Sequence, residues 1–426
     1  MIAIYAFAAV KVLTLQDAVR LADQNQPTIR QARANIEVAR ARQDEARAPL
    51  LPQLSGTASY QRTTANFVAR PGFVPLSTAT SNTTAPTWRT FDFWNFGLTL
   101  TQYIWDFGQT TEKWNASKVT TRANEESEHF QRLQVEELVR AAFFNARAQK
   151  ALVEVGRETL DNYDRHLVQT TAFVKAGRNP EIDLAQARSD RANALVQLIN
   201  AENNYDIAKA QLNQQMGIEG TTDYDVADDE LGTVIGEDQT TDQMMDEALH
   251  NRPDILAFDY QIRAQEYIVR SFKGAYGPSL SAQMSLTDSG TDITNLGWNW
   301  SVQVNVNWPL FQGLLTWSQV REQKAQLEVL KAQRDQLAQQ ARLDVDTARL
   351  AVRAAKATIR AADEALANAR ERLRLAEGRY NAGVGNAIEL GDAQVAVTQS
   401  AAQRVQAAYN LSTARAQLVR ALGRRE

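Results

Sequence analysis

The 426-residue chain carries 46 Lys and Arg against 50 Asp and Glu, which leaves a formal net charge of −4. This balance gives no electrostatic reason to expect nucleic acid as a partner. Cysteine is absent from the sequence, so disulfides, thiolate metal sites and a cysteine nucleophile are excluded. No stretch reaches the roughly 18 apolar residues that a membrane-spanning helix requires.

The chain opens on an apolar stretch, residues 2–10. It is too short to span a bilayer and lacks a basic start. We interpret it as a signal-peptide remnant or an artificial terminus, in preference to an ordered N-terminal strand.

Motifs recur along the chain at a nearly constant offset. Asn-Gln-Pro at residues 25–27 returns 226 residues later as Asn-Arg-Pro at 251–253, whereas Gly177 returns 206 residues later as Gly383. The offset shortens where the first copy carries a Ser/Thr-rich run, residues 77–84, with three extra prolines, Pro71, Pro75 and Pro86. An internal duplication with one elongated loop predicts two similar structural units.

Two long windows, residues 87–179 and 310–426, contain no proline. The second is rich in Ala, Leu, Gln, Arg, Glu and Lys, which are strong helix formers. We predict α-helices over residues 109–176 and 314–380, each roughly 100 Å long at about 1.5 Å per residue. Helix content alone also fits a soluble coiled coil or rod.

Each predicted long helix ends at a glycine, Gly177 or Gly383. A second helix is expected to follow at once, with Asn179 as cap and Pro180 in the first turn, or with Asn386 as cap and Glu389 three residues on. The returning arms should end near Gly217 and Gly423. The pattern predicts two antiparallel helical hairpins.

Four segments alternate between apolar and polar residues, and we predict strands at 54–66, 91–106, 280–288 and 297–308. In the last of these, one face carries Trp298, Trp300, Val302, Val304, Val306 and Trp308, and the other carries Asn299, Ser301, Gln303, Asn305 and Asn307. The second segment places Trp94, Phe96, Leu98, Leu100 and Ile104 on one face. The polar faces are uncharged, unlike the outer face of most soluble sheets.

Strands of about ten residues, bounded by tryptophan and uncharged on the other face, are typical of a transmembrane β-barrel. We expect Trp94, Trp298, Trp300 and Trp308 to form a lipid-facing girdle. Four strands cannot close a barrel, so the barrel must be shared among chains, and three copies would supply twelve strands. Together with the long helices, this predicts a duct that crosses one membrane.

The segments at residues 45–54, 173–188 and 380–393, in this order and duplicated, resemble the TolC family of outer-membrane efflux proteins. The resemblance covers the chain from about Leu15 to Gly423. It implies an α+β membrane protein, a homotrimer with a long antiparallel α-helical barrel and a trimeric 12-stranded transmembrane β-barrel in outer-membrane lipid. Because the lipidated branch of that family carries an N-terminal cysteine, lipid anchoring is not expected here.

The same resemblance implies a bacterial outer-membrane exit duct of a tripartite efflux or type I secretion system, a passive conduit for drugs, small molecules or proteins. A periplasmic adaptor protein and an inner-membrane pump would be its partners. The adaptor would dock at Gly177, Arg178, Gly383 and Val384. The resemblance also implies a closed resting state held by a contact at the tips between Asp183 on one hairpin and Tyr380 on the other, here called the tip lock. A basic residue takes part in this contact in the family, but its position is occupied by Gly385 in this chain.

Glu389 and Asp392, three residues apart, lie on the same face of their predicted helix. Threefold symmetry would turn them into two acidic rings, which predicts a pore constriction that favours cations. Glu389 also stands where a capping box with Asn386 would place it.

The sequence shows no catalytic constellation, and we predict that the protein is not an enzyme. The three histidines, His129, His166 and His250, are dispersed without metal-ligand spacing, so we expect no metal site and no cofactor. A structural coiled-coil protein and a periplasmic adaptor-like protein without a pore remain the alternatives to a duct.

The predicted organisation follows the duplication. It comprises an N-terminal segment (1–14), helices of the first repeat (15–53), a first β-hairpin (54–107), a first long helical hairpin (108–217), an equatorial segment (218–252), a helix of the second repeat (253–277), a second β-hairpin (278–310) and a second long helical hairpin (311–423).

Overall fold

The computed structural model describes residues 12–64, 88–178 and 180–424. The apolar opening at residues 2–10, the loop that contains Pro71, Pro75 and Pro86, and the expected cap Asn179 lie outside the described residues.

Within the described residues the chain forms eight α-helices and six β-strands. The helices are α1 (Leu15–Asn25), α2 (Pro27–Arg47), α3 (Gln109–Lys175), α4 (Glu181–Met216), α5 (Thr241–Asn251), α6 (Pro253–Gly274), α7 (Leu315–Asn381) and α8 (Ala387–Ala421). The strands are β1 (Val12–Leu13), β2 (Gln53–Thr64), β3 (Thr90–Trp105), β4 (Asp225–Val226), β5 (Ser279–Asp292) and β6 (Asn295–Asn307).

The two long helices are confirmed. α3 and α7 each contain 67 residues, and their ends differ by at most one residue from the predicted limits. A helix this long needs the absence of interior proline, since proline lacks the N–H that the backbone ladder uses. α4 and α8 follow as the returning arms, so the two helical hairpins are present.

All four helices of the hairpins end in the same way. Gly177, Gly217, Gly383 and Gly423 each adopt a positive φ between 69° and 77°. Beyond Gly177, the Arg178 amide donates to the Phe173 carbonyl, and beyond Gly383 the Val384 amide donates to the Arg379 carbonyl. This pairing satisfies carbonyls at a helix C-terminus and favours glycine, which has no Cβ to strain the left-handed conformation.

The start of α4 differs from the prediction by one residue. Pro180 occupies the N-cap position, and the helix begins at Glu181, whereas Pro180 was expected inside the first turn. Glu181 and Asp183 lie in that first turn, where a carboxylate complements the positive end of the helix dipole.

The duplication extends to the hydrophobic cores. One core gathers residues from α1 to α4, and a second gathers residues from α5, α7 and α8. Equivalent positions are buried in both: Ala18 and Met244, Ala22 and Ala248, Val139 and Val345, Leu212 and Leu418, Met216 and Leu422. Each pair is separated by the offset of its own motif, 226 residues for the short helices and 206 for the hairpins.

The repeated Asn-X-Pro motif packs against the end of a hairpin. A Cβ on Gly217 would lie 2.8 Å from the Cα of Gln26, and a Cβ on Gly423 would lie 2.9 Å from the Cα of Arg252. The two glycines therefore permit the same close backbone approach in both repeats.

The equatorial segment, residues 218–252, is attached to both hairpins by charge. Lys150 on α3 lies 2.7 Å from Asp225, and Arg415 on α8 lies 3.1 Å from Glu237. Glu237 is buried and also pairs with Lys356 on α7 at 2.6 Å. β4 within this segment pairs in parallel with β1.

Four strands form an antiparallel sheet in the order β2-β3-β5-β6. β5 is longer than predicted, because residues 289–292 continue the strand to a tight turn. The Asp292 carboxylate accepts from the backbone N–H of Thr294 at 2.9 Å, and this local bond closes the turn between β5 and β6.

The chain divides into two compact units. The first comprises Met1–Glu37, Arg122–Tyr260 and Lys331–Glu426, so far as these are described, and holds both duplicated cores. The second comprises Val38–Thr121 and Gln261–Leu330 and holds the four-stranded sheet.

Candidate functional sites at the helical tips and on the sheet

The predicted docking residues meet at one surface. The Arg178 guanidinium lies over the Phe173 ring, with 4.8 Å from Cζ to the ring centroid, and its Nη2 would lie 3.4 Å from a Cβ on Gly383. Arg178 therefore joins the tip of the first hairpin to the tip of the second. A Cβ on Gly177 would meet no atom within 4 Å, and Val384 is 70% exposed.

Tyr380, in the last turn of α7, is only 6% exposed. Its ring packs against two rings of α3, with centroid distances of 6.0 Å to Phe173 and 5.5 Å to His166. Leu390 and Ala393 of α8 complete this tip cluster. Tyr380 thus connects the two hairpins within one chain through His166 and Phe173, ring partners that the sequence did not predict. Asp183, its partner in the predicted tip lock, lies in the first turn of α4.

Gly385 occupies the position where the resemblance expects a basic residue. A Cβ there would lie 3.0 Å from the Tyr380 backbone nitrogen and 3.1 Å from the Arg379 carbonyl carbon. Both distances are shorter than ordinary van der Waals contact, and both atoms belong to the backbone. The tight turn thus explains why this chain has glycine at that position.

The N-cap predicted for α8 is present. The Asn386 side chain accepts a hydrogen bond from the backbone N–H of Glu389 at 2.7 Å. The Glu389 carboxylate pairs with the Arg379 guanidinium of α7 at 3.3 Å. Asp392, one turn further along α8, is exposed. Arg379 was missed, although a basic residue in the last turn of a helix is a recognisable signal.

In its central part the sheet carries its apolar side chains on one face, as predicted. Leu98 lies opposite Gly56 and Leu286, and Leu286 lies opposite Trp300. Trp298 is 73% exposed and Val304 is 63% exposed within the chain. Since an apolar face of this size is rarely left to water, it requires a cover of lipid or protein.

The alternation predicted for β3 is interrupted at Ile104. A β-bulge lies between Tyr103 and Trp105, and beyond it Trp105, not Ile104, lies opposite Leu280. One extra residue in a strand shifts the alternation of its side chains by one position. Nothing in the composition of residues 102–106 indicates that bulge.

The opposite face of the sheet is polar and uncharged in its central part, and towards one end Phe91 and Phe93 lie on it opposite Thr63 and Gln61. Ser55, Thr99, Ser285 and Ser301 form one row across all four strands. Within this row the hydroxyls of Ser285 and Ser301 lie 2.8 Å apart, and Gln303 donates to Gln283 at 3.2 Å. Such a surface suits contact with water.

Within the described residues, none of the helices has an apolar stretch long enough to cross a membrane.

An exposed two-faced sheet joined to duplicated helical hairpins defines a class of outer-membrane protein with a long helical portion. The sequence matches the profile of the outer membrane efflux protein family over residues 18–218 and 244–424. The chain belongs to this family, which confirms the resemblance and the outer membrane as its location.

Curated relatives agree with this membership. The outer membrane efflux protein BepC of Brucella suis biovar 1 is 24% identical over 324 residues, which are 74% of this chain and 64% of BepC. The solvent efflux pump outer membrane protein SrpC of Pseudomonas putida is 26% identical over 305 residues, 69% of this chain and 61% of SrpC. The alignments therefore span less than two thirds of these relatives.

Solved structures share the fold. The outer membrane protein VceC from Vibrio cholerae matches with a TM-score of 0.80 at 17% identity, over 96% of each chain. The Campylobacter jejuni CmeC outer membrane channel matches with a TM-score of 0.80 at 19% identity, over 96% of this chain and 85% of CmeC.

Proposed function

We propose that the chain is one protomer of a trimeric outer-membrane exit duct, a passive conduit for drugs, small molecules or proteins. The observation that carries this proposal is the sheet, which has an exposed apolar face and an uncharged polar face. Among the described strands, its two edge strands, β2 and β6, each pair with a single neighbour. Lipid offers no partner to an open edge, so β6 of one chain must pair with β2 of the next.

Three copies of the four-stranded sheet give twelve strands, which leave a lumen, whereas eight would be filled by side chains. In that arrangement the polar face with Ser285 and Ser301 lines the lumen, and the girdle of Trp94, Trp298, Trp300 and Trp308 contacts lipid.

Purification in detergent followed by planar-bilayer recording tests the duct. We expect a detergent-dependent trimer that conducts ions. A monodisperse protein that stays soluble without detergent and forms no channel would refute the duct and favour the adaptor-like or coiled-coil alternative.

For the helical tips, we propose contact with a periplasmic adaptor protein and an inner-membrane pump. SrpC is described as the outer-membrane protein of a solvent efflux pump, which supports a pump partner by analogy. The surface would be formed by Gly177, Arg178, Gly383 and Val384, where Val384 offers exposed apolar area and Gly177 offers open backbone. Gly383→Trp should abolish export in cells and leave the trimer intact, and normal export by this variant would exclude the tips as the docking surface.

The pore would be controlled near the same tips. We assign the constriction to Glu389 and Asp392 and the closing contact to the Tyr380 region, with Asp183 as its partner in the tip lock. Burial of Tyr380 between the two hairpins supports a closing role, since α7 cannot move away from α3 without exposing that ring. No residue in this arrangement is assigned a catalytic role.

A further inference from the structure

His166 occupies an unusual position for a titratable residue. It lies on α3 with its ring packed at 60° against that of Tyr380, at 5.5 Å between centroids. Its Nε2 lies 3.5 Å from the hydroxyl of Thr170, which is fully buried. Its Nδ1 is buried and has no hydrogen-bond partner among the described residues. On its Nδ1 side the imidazole is therefore held by packing alone. A proton on Nδ1 would find no acceptor among the described residues.

The surroundings of His166 differ from helix to helix. α7 contributes Tyr380, and α8 contributes the apolar residues Ala387, Leu390 and Ala393 to the same cluster. The charged groups that act on the imidazole, the carboxylates of Asp190 and Asp183, come from α4. Burial lowers the pKa of His166, and this effect outweighs the two carboxylates, which act to raise it. The packed state therefore favours the neutral ring.

We propose that His166 makes closure of the helical tips sensitive to acid, so that its protonation releases Tyr380 from α3 and favours the open duct. This inference rests on the proposed export duct and names a regulation of its tips.

The physical reason is a competition between two partners. A neutral imidazole can pack on Tyr380 with an unsatisfied Nδ1, but an imidazolium carries a proton on both nitrogens and needs an acceptor for each. Among the described residues no acceptor lies within hydrogen-bond distance of Nδ1 in the packed position, whereas α4 carries the carboxylates of Asp183 and Asp190. A charged His166 is therefore drawn toward α4, within its own hairpin, and Tyr380 of the other hairpin loses one of its two ring contacts.

Linkage gives the sign of the effect. In the packed tip His166 has a lowered pKa, and in the released tip its pKa would be ordinary. As the pH falls below about 6.5, the released tip binds protons more readily, so the packed tip becomes less stable relative to it. Acid must then shift the population from the packed tip toward the released tip, by up to roughly tenfold for each unit of difference in pKa.

The experiment is planar-bilayer recording of the reconstituted trimer at pH 7.5 and 5.5. The wild type should open several-fold more often at pH 5.5, and His166→Gln, which cannot take a proton, should lose this response. His250→Gln is the matched control, because His250 is exposed on α5 and bonds to the Asp246 carbonyl of its own helix. It should respond to pH as the wild type does. Both pH values stay above the range near 4 in which free carboxylic acids titrate.

Hydrogen exchange supplies a readout that needs no conductance. After correction for intrinsic exchange, amides of residues 376–385 should lose protection at pH 5.5 in the wild type and His250→Gln but not in His166→Gln. An unchanged acid response in His166→Gln, or a wild-type channel that opens equally at both pH values with unchanged protection, would overturn the inference and leave the duct standing. A wild type that forms no channel at any pH would instead refute the duct, and the proposed regulation with it.

Discussion

Arg379 and Glu389 form an ion pair across the turn between α7 and α8, with 3.3 Å between Nη1 and Oε1. The pair lies at the tip where Glu389 and Asp392 are proposed to form a constriction. Since Arg379 offsets the charge of Glu389, the two acids are not equivalent. Asp392 is exposed on the next turn and forms no ion pair within the described part of the chain.

This difference predicts which substitution alters ion selectivity. Asp392→Asn should reduce cation selectivity and metal-ion block in single-channel recordings by more than Glu389→Gln does, because three copies of Asp392 would form the dominant acidic ring. Equal or reversed effects of the two isosteric variants would show that Arg379 does not screen Glu389. If the variant with both Asp392→Asn and Glu389→Gln kept its cation selectivity, the selectivity filter would lie elsewhere in the duct. Glu389 and Asp392 would then have no part in the constriction.

The two faces of the sheet predict different effects of the same substitution at two neighbouring residues. Val304→Arg puts a charge near the centre of the exposed apolar face and should cost about 2 to 4 kcal/mol of insertion free energy. Gln303→Arg, the neighbouring residue on the face where Gln303 bonds to Gln283, should be tolerated. Heat-resistant trimer recovered from outer membranes measures both. Equal recovery of the two variants would mean that the faces have been assigned the wrong way round.

Local chemistry explains why the sequence predicted so much of the fold. The limits of α3 and α7 follow from the absence of proline and from glycine beyond each C-terminus, and these signals lie within a few residues of the feature they determine. Alternation likewise predicted the faces of β5, β6 and the central part of β3, because side chains on a strand point in turn to opposite sides.

The features that the sequence did not predict depend on distant residues. The ion pair of Arg379 with Glu389, the reach of Arg178 to Gly383 and the packing of Tyr380 on His166 each require the relative position of two helices. Periodicity within one helix carries no information about that position. The bulge beside Ile104 is a property of the pairing between β3 and β5, and neither strand alone reveals it.

The close contact between the end of the first helical hairpin and the Asn-X-Pro motif predicts that even a methyl group on Gly217 lowers the stability of the protein. Gly217→Ala should destabilise the protein by about 2 kcal/mol or more, because alanine is strained at φ 69° and its Cβ would lie 2.8 Å from the Gln26 Cα. The loss should appear as a lower midpoint of thermal unfolding in detergent.

Gly378→Ala is the matched control for that variant. Gly378 lies within α7, and an added Cβ would meet no atom of the chain within 4 Å. Alanine in a helix interior is favoured over glycine by about 1 kcal/mol, so this variant should be as stable as the wild type or more stable. A Gly217→Ala protein as stable as Gly378→Ala would contradict the close approach of Gln26.

The attachment of the equatorial segment predicts a pH dependence of stability. Burial alone would raise the pKa of Glu237, but the hydrogen bonds from Lys356 and Arg415 outweigh it and hold that pKa below its usual value. A carboxylate with a lowered pKa in the folded state contributes stability above its unfolded pKa, near 4.3 for glutamate, and this contribution is lost as the pH falls through the folded value.

Glu237→Gln should therefore lower the free energy of unfolding at pH 7 by about 1 to 3 kcal/mol, because it leaves Lys356 and Arg415 without the carboxylate that they share. The difference from the wild type should shrink as the pH falls below about 4, where the wild-type carboxylate becomes protonated as well.

Asp238→Asn is the control, since Asp238 also pairs with Lys356, at 2.9 Å, but its side chain is 85% exposed and surface pairs contribute little. Thermal unfolding measured between pH 3 and pH 7 would separate the two. Equal stability of Glu237→Gln and Asp238→Asn at pH 7 would contradict this prediction. It would mean that the equatorial segment is attached to α7 and α8 by contacts other than the buried ion pairs of Glu237.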